Sequence, residues 1–257
     1  MREEDPKVRF SKRAIYYWKY RPPYPVALRQ FIEQDLGLVR ESIVADVGSG
    51  TGILSELFAN HGSTVFAIEP NSEMRSIAEE LLTKYPNFKS IEATAEDTSL
   101  PSASVDFITA GQAFHWFDPI KTKLEFSRIL KPEGWVLLIW NVRKLSTGLM
   151  REYDTLVSEF ANRQIAFRST KDRIGETGLH QFLGRYKEKQ FENHQVFDFE
   201  GLQGRLLSSS YVPLPGEERY AAMIAELRRI FDSSQRDGFV QFDYETEVYY
   251  SQFRDRI

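Results

Sequence analysis

The sequence has 257 residues, with 33 Lys plus Arg, 37 Asp plus Glu and no Cys. This length suits one large α/β domain, and the formal charge of −4 gives no general attraction for nucleic acid or anionic lipid. Disulfides and thiolate metal sites are excluded, and the four His are not spaced as metal ligands. No signal peptide or membrane-spanning run is visible. We therefore expect a cytoplasmic protein that has no metal and no nucleic-acid or membrane partner.

The first local feature is the proline-rich stretch from Arg21 to Pro25. Each proline fixes its own φ and restricts the residue before it, so this stretch is extended. Its simplest interpretation is a rigid connector.

Residues 42–141 alternate β-branched runs with amphipathic stretches, which is typical of βαβ units around a parallel sheet. The predicted strands are Ile43–Val47, Thr64–Glu69, Phe88–Ala93, Val105–Ala110 and Trp135–Trp140. Thr51–Asn60 and Ser72–Thr83 are predicted to be helices.

The regular alternation stops after Asn141, and a mixed region runs to about Gln190. A strand is predicted around Gln195–Phe199 and a helix over Glu217–Phe231. The stretch Phe239–Tyr250 alternates apolar and acidic residues, which indicates an antiparallel or edge strand.

A glycine turn follows the first predicted strand, with Gly48, Gly50 and Gly52 after Asp46. Open α/β sheets bind ligands at this edge. A dinucleotide fingerprint needs a third glycine where Ile53 stands, and the Asp46 carboxylate is unfavourable for a pyrophosphate. S-adenosylmethionine carries an ammonium and a sulfonium instead, which a carboxylate favours. The turn thus favours S-adenosylmethionine over NAD.

Glu69 ends the second predicted strand, about twenty residues beyond the turn. A carboxylate there can accept both ribose hydroxyls of an adenosine group. NAD enzymes use the same device, so Glu69 alone does not separate the two cofactors.

From Arg21 to Trp140 the sequence resembles the class I S-adenosylmethionine-dependent methyltransferases, in the small-molecule branch of quinone and trans-aconitate methylation. The matching motifs are Asp46 to Gly52; Glu69, Pro70, Asn71 and Met74; Ala95, Glu96 and Asp97; and Arg128 to Gly134. This resemblance implies an α/β, Rossmann-like, mostly parallel seven-stranded sheet with a late antiparallel strand and a helical cap.

The resemblance also implies a set of cofactor contacts. Met74 packs on the adenine ring, and the segment Ala95 to Asp97 binds the adenine amino group. Gln112 lies beside the methionine portion, whereas Tyr17 and Arg21 cover the cofactor, with Arg21 pairing with its carboxylate. For Arg21, a surface position beside the connector is an equal alternative. The predicted cofactor-binding residues are Tyr17, Arg21, Asp46, Gly48, Ser49, Gly50, Glu69, Pro70, Met74, Ala95, Glu96 and Gln112.

His115, after the fourth predicted strand, is the candidate general base for a hydroxyl or enol acceptor. The alternative is that it only packs between Phe114 and Trp116. Trp116, Trp140 and Tyr211 are candidates to line an apolar cavity, although such residues more often form core.

We therefore predict methyl transfer to the oxygen, carbon or carboxylate of a small molecule, by a monomer or homodimer. The residues after Gly111 lack the Asn or Asp, Pro, Pro, Tyr sequence of amino-group methylases. The alternatives are a non-catalytic S-adenosylmethionine-binding regulator and an NAD-binding oxidoreductase. A single domain is predicted, with a cofactor-covering segment at 1–41, a cofactor-binding core at 42–141, a cap and substrate region at 142–238 and a final strand at 239–257.

Overall fold

The computed structural model describes residues 14–161, 174–209 and 211–253. The chain divides into two compact units. Unit 1 comprises Met1–Pro22, Arg143–Arg168 and Glu192–Glu245, and unit 2 comprises Pro23–Val142, Ser169–Phe191 and Thr246–Ile257.

In the described residues, helices and strands alternate through the first half of the chain. The helices are α1 Ala14–Tyr20, α2 Val26–Leu36, α3 Ile53–His61, α4 Ser72–Leu82, α5 Pro119–Ile129, α6 Gly148–Phe160, α7 Glu176–Leu183, α8 Phe199–Leu207 and α9 Tyr220–Ser234, with a 3₁₀ turn at Phe114–Trp116. The strands are β1 Ile43–Val47, β2 Thr64–Ile68, β3 Phe88–Ile91, β4 Val105–Gly111, β5 Leu130–Arg143, β6 Lys187–Phe197 and β7 Val240–Ser251.

The strands form one seven-stranded sheet in the order β3-β2-β1-β4-β5-β7-β6. The pairs β3–β2, β2–β1, β1–β4 and β4–β5 are parallel. The predicted mostly parallel, Rossmann-like sheet with a late antiparallel strand is confirmed. Because parallel strands end at the same edge, the residues that follow β1, β2 and β4 meet there.

The central strands of unit 2 are buried on both faces, as a parallel sheet between helices requires. Along β5, Leu138 and Trp140 pack in one apolar cluster with Ala45, while Leu137 and Ile139 pack in another with Val44. Successive side chains of a strand point to opposite faces, so one continuous apolar run supplies both clusters.

Unit 1 has its own apolar core, built mainly from α6, α8, α9 and the first half of β7. Tyr153 and Met223 are fully buried there. The helix α8 packs closely on α1, since a Cβ at Gly204 would lie 2.1 Å from the Tyr20 ring.

Several predicted boundaries are wrong for local backbone reasons. The helix α3 begins at Ile53 and not at Thr51, because Gly52 adopts a left-handed conformation with φ of 83°. The helix α9 begins at Tyr220 and not at Glu217, because Arg219 has φ of 69°. The strand β6 begins earlier than predicted, and Phe199 opens a helix.

In the described part of the chain, no helix combines the length and the apolar character that crossing a bilayer requires.

Candidate functional site

The glycine turn after β1 is fastened to the end of β2. The backbone N–H groups of Gly48 and Ser49 donate to the Ile68 carbonyl at 2.8 and 3.1 Å. Gly48 has φ of 67°, and a Cβ there would lie 2.6 Å from the Ala113 Cβ. The space beside Gly48 is thus filled by Ala113 and the Phe117 ring.

Gly50 is the open position of the turn. It has φ of 56°, and no atom lies within 4 Å of where its Cβ would stand. The neighbouring Thr51 hydroxyl is buried and has no hydrogen-bond partner among the described residues. An open backbone position beside an unpaired hydroxyl can accommodate a polar ligand.

Glu69 connects the turn to the residues after β2. One carboxylate oxygen accepts from the Gly50 N–H at 3.0 Å, and the other accepts from the Asn71 N–H at 2.8 Å. Burial raises the pKa of Glu69, although these two backbone donors oppose the shift. Each oxygen keeps acceptor capacity, so the carboxylate is oriented and still able to bind hydroxyl groups.

Asp46 lies inside the sheet beneath the turn and is completely buried. Its two oxygens accept from the Ser55 hydroxyl at 2.6 Å and the Thr109 hydroxyl at 3.0 Å. Burial raises the pKa of Asp46 to about 6, the two hydroxyls lower it, and the nearby Glu69 charge adds to the rise. The carboxylate therefore ties β1 to α3 and β4.

Asn71 fixes the start of α4 by accepting from the Glu73 and Met74 N–H groups at 3.1 and 3.0 Å. Asn71 is thus the N-cap of α4, and Ser72 is its first helical residue. Met74 is buried and Pro70 is exposed.

The segment after β3 places Ala95 in the core, while Glu96 remains partly exposed. The Glu96 carboxylate accepts from the Asp118 N–H at 2.9 Å. This bond joins the predicted adenine-binding segment to the start of α5.

Gln112 follows β4 in a left-handed conformation, with φ of 58°. Its N–H donates to the Ile139 carbonyl at 2.9 Å, and its side chain donates to the Asn141 carbonyl at 3.1 Å. A positive φ outside glycine is uncommon and often marks functional sites.

His115 lies on the 3₁₀ turn and is partly exposed. Its ring centroid lies 4.9 Å from that of Trp116, which is 60% exposed. Trp140 packs in the core of unit 2. Unit 2 therefore gives no support for the prediction that Trp116 and Trp140 line a cavity.

Tyr17 and Arg21 lie in unit 1, where the guanidinium stacks over the Tyr17 ring at 4.8 Å. Arg21 donates to the Ser208 carbonyl at 3.0 Å. Among the described residues Arg21 has no ion pair with a carboxylate, and burial together with Arg205 lowers its pKa. The alternative interpretation, in which Arg21 is a simple surface residue, is thus disfavoured by these contacts.

Sequence reasoning missed Ser55 and Thr109 as partners of Asp46, because hydroxyl residues on a helix and a strand carry no signal of their own. It also did not identify Arg143 and Arg205 as candidate site residues, because these arginines are far from the glycine turn in sequence. In the described residues, no group of three or more His, Asp or Glu side chains is placed to hold a metal ion.

Residues 45–138 match the family model described as a methyltransferase domain. An uncharacterized methyltransferase of Schizosaccharomyces pombe is 26% identical over 92% of this chain and 93% of its own length. A ubiquinone biosynthesis O-methyltransferase of Leptothrix cholodnii is 32% identical, over 54% of this chain and 64% of its own. The chain thus contains a methyltransferase domain and is an S-adenosylmethionine-dependent methyltransferase. Its cofactor is S-adenosylmethionine, and it is an enzyme.

The methyltransferase fold is also found in a solved structure assigned as a type II methyltransferase, from Anaeromyxobacter dehalogenans. The TM-score is 0.71 at 22% identity, covering 91% of this chain and 98% of that one. The match to a methyltransferase domain, together with the methyltransferase relatives, decides against the NAD oxidoreductase and the non-catalytic regulator that the sequence left open.

Proposed function

We propose that this methyltransferase methylates an oxygen, carbon or carboxylate group of a small molecule, with the adenosine group held at the Gly50–Glu69 connection. The supporting observation is that this carboxylate is oriented by backbone donors while Gly50 and Thr51 leave an open, polar position. The acceptor oxygens of Glu69 fit a neutral, hydroxyl-rich ribose, because carboxylate oxygens accept hydrogen bonds that hydroxyl groups donate.

The remaining predicted contacts are assigned by the same proposal. The proposed cofactor residues are Tyr17, Arg21, Asp46, Gly48, Ser49, Gly50, Glu69, Pro70, Met74, Ala95, Glu96 and Gln112. Asp46 acts through the shape and charge of the turn, since its side chain is completely buried beneath the turn. Arg21 binds the cofactor carboxylate, for which a guanidinium has matching geometry.

When bound, S-adenosylmethionine supplies an electrophilic methyl group, whose transfer breaks a carbon–sulfur bond and leaves S-adenosylhomocysteine. The protein chiefly aligns the acceptor and excludes water. For a hydroxyl or enol acceptor, His115 takes the proton as the acceptor atom bonds to the methyl carbon. A carboxylate acceptor needs no base.

The acceptor class is supported by two observations. The chain resembles a relative that is named as an O-methyltransferase. In addition, the residues Gln112 to Trp116 differ from the sequence of amino-group methylases. We further propose one functional domain that acts in the cytoplasm as a monomer or homodimer, without nucleic-acid or membrane partners.

Incubation with methyl-labelled S-adenosylmethionine and a metabolite extract tests this function. We expect label in a small, extractable product, and analysis of that product identifies the methylated atom. Label found only in protein or nucleic acid would contradict the proposal.

A further inference from the structure

Three arginines converge inside unit 1. Two of them donate hydrogen bonds to Ser208, whose carbonyl accepts from Arg21 at 3.0 Å and whose hydroxyl accepts from Arg205 at 3.3 Å. Arg205 is only 3% exposed and also donates to the Tyr244 hydroxyl at 2.7 Å. The third, Arg143, stacks on the Tyr153 ring at 5.8 Å.

The charges of this cluster do not balance in the described residues. Arg143 pairs with Asp154 at 2.7 Å. Arg21 and Arg205 have no such carboxylate among the described residues, since their side-chain partners there are hydroxyl and carbonyl oxygens. Three guanidiniums against one carboxylate leave two positive charges, and the cofactor carboxylate proposed for Arg21 compensates one of them. Unpaired charge is costly to bury, so an anionic group is expected to compensate it.

Donor groups in the cluster also lack partners. The Tyr153 hydroxyl is fully buried and has no hydrogen-bond partner among the described residues. The same holds for the Nε atoms of Arg143 and Arg21. Buried donors are normally satisfied, so these atoms indicate a missing acceptor.

The positive charge of the cluster affects the pKa of Tyr211. Although burial opposes the shift, Arg143, Arg21 and Arg205 lower the pKa of Tyr211 to about 8. A phenol whose negative form is favoured shows that the position suits an anion. Tyr211 also packs against the apolar core of unit 1.

We propose that Arg143 and Arg205, with the Tyr153 hydroxyl, bind the carboxylate of an acidic small molecule. Arginine binds carboxylates through two parallel hydrogen bonds, and the rings of Tyr153, Phe242 and Tyr244 around these guanidiniums favour an apolar or aromatic body.

Calorimetry on the full chain tests the inference with benzoate and its neutral counterpart benzamide. We expect benzoate to bind at least about tenfold more tightly than benzamide. The change Arg205→Met should weaken benzoate binding by about tenfold or more, and leave S-adenosylhomocysteine binding within about twofold. The matched control is Arg229→Met, which removes an exposed arginine of the same unit.

The inference is overturned if benzoate does not bind, or if benzoate and benzamide bind equally. It is also overturned if a folded Arg205→Met variant binds benzoate as tightly as wild type. A parallel loss of S-adenosylhomocysteine binding also overturns it, because the carboxylate would then be the cofactor's. If Arg205→Met does not fold, Tyr153→Phe provides the test, with about threefold weaker benzoate binding expected. Failure of the wild-type protein to bind S-adenosylhomocysteine would instead refute the proposed function, and benzoate binding is measured independently of it.

Discussion

The Glu69 carboxylate accepts a hydrogen bond from the Gly50 backbone N–H at 3.0 Å, and this bond connects the end of β2 to the turn after β1. It sets the orientation of the Glu69 carboxylate at the sheet edge. The geometry explains why both residues belong to the proposed adenosine site.

The change Glu69→Gln should weaken S-adenosylhomocysteine binding by about 10- to 100-fold, because an amide has one acceptor oxygen and no charge. Isothermal calorimetry measures this effect. The control Glu79→Gln alters an exposed residue of α4 and should leave the affinity unchanged. Equal affinity of Glu69→Gln and wild type would contradict the proposed ribose contact.

Asp46 should make stability depend on pH. Its pKa is raised from 3.8 to about 6 on folding, so the folded state binds more protons between these values. The free energy of unfolding should therefore decrease as the pH rises from about 4 to 6, by up to about 3 kcal/mol. Asp46→Asn removes this contribution, because an amide does not titrate.

Urea unfolding of wild type and Asp46→Asn across this pH range gives the difference directly. The exposed Asp35→Asn should follow the wild-type profile. Superimposable profiles for Asp46→Asn and wild type would show that the buried carboxyl does not titrate as described.

Substitutions at Gly48 and Gly50 should separate folding from binding. Gly48→Ala places a Cβ against Ala113 in a left-handed conformation, and should cost about 2–5 kcal/mol of stability. Gly50→Ala meets open space, so it should cost only about 1–2 kcal/mol yet weaken cofactor binding. Chemical unfolding and calorimetry measure the two effects; cofactor affinity retained by Gly50→Ala would argue against a ligand at this turn.

His115→Asn should lower kcat by about 100-fold or more for a hydroxyl or enol acceptor, while cofactor affinity stays the same. An imidazole must be neutral to accept a proton, so wild-type activity should rise with pH through the neutral range, and the variant should lose this rise. His194→Asn, at an exposed position, is the control. An unchanged pH profile would leave His115 with a packing role only.

The parallel half of the sheet was predictable from sequence, because its strands are continuous apolar runs separated by clear turns. The strand β1 was predicted to the residue, and β2 differs only at Glu69. The strand β6 was largely missed, because its residues are mostly charged or polar and its burial pattern gives no apolar signal at Lys187. Helices α1, α2, α5, α6, α7 and α8 were not predicted either.

The sequence predicted the glycine turn and Glu69 as candidate site residues, because a strand that runs through glycines into a helix has a local sequence signature. The arginine cluster has no such signature, since Arg21, Arg143 and Arg205 are brought together only by the fold of unit 1. Asp46 was found, but its hydroxyl partners were not, because long-range side-chain pairs cannot be read from spacing.

The left-handed backbone of Gln112 has a practical consequence for altering the enzyme. Its conformation is fixed by acceptors on β5, the carbonyls of Ile139 and Asn141. The direction in which the chain leaves β4 towards His115 is therefore imposed by the neighbouring strand's main chain. Libraries that diversify side chains at positions 113–117 should therefore retain the main-chain path of this segment. A proline that distorts β5 would instead redirect the segment, although none of its own residues is changed.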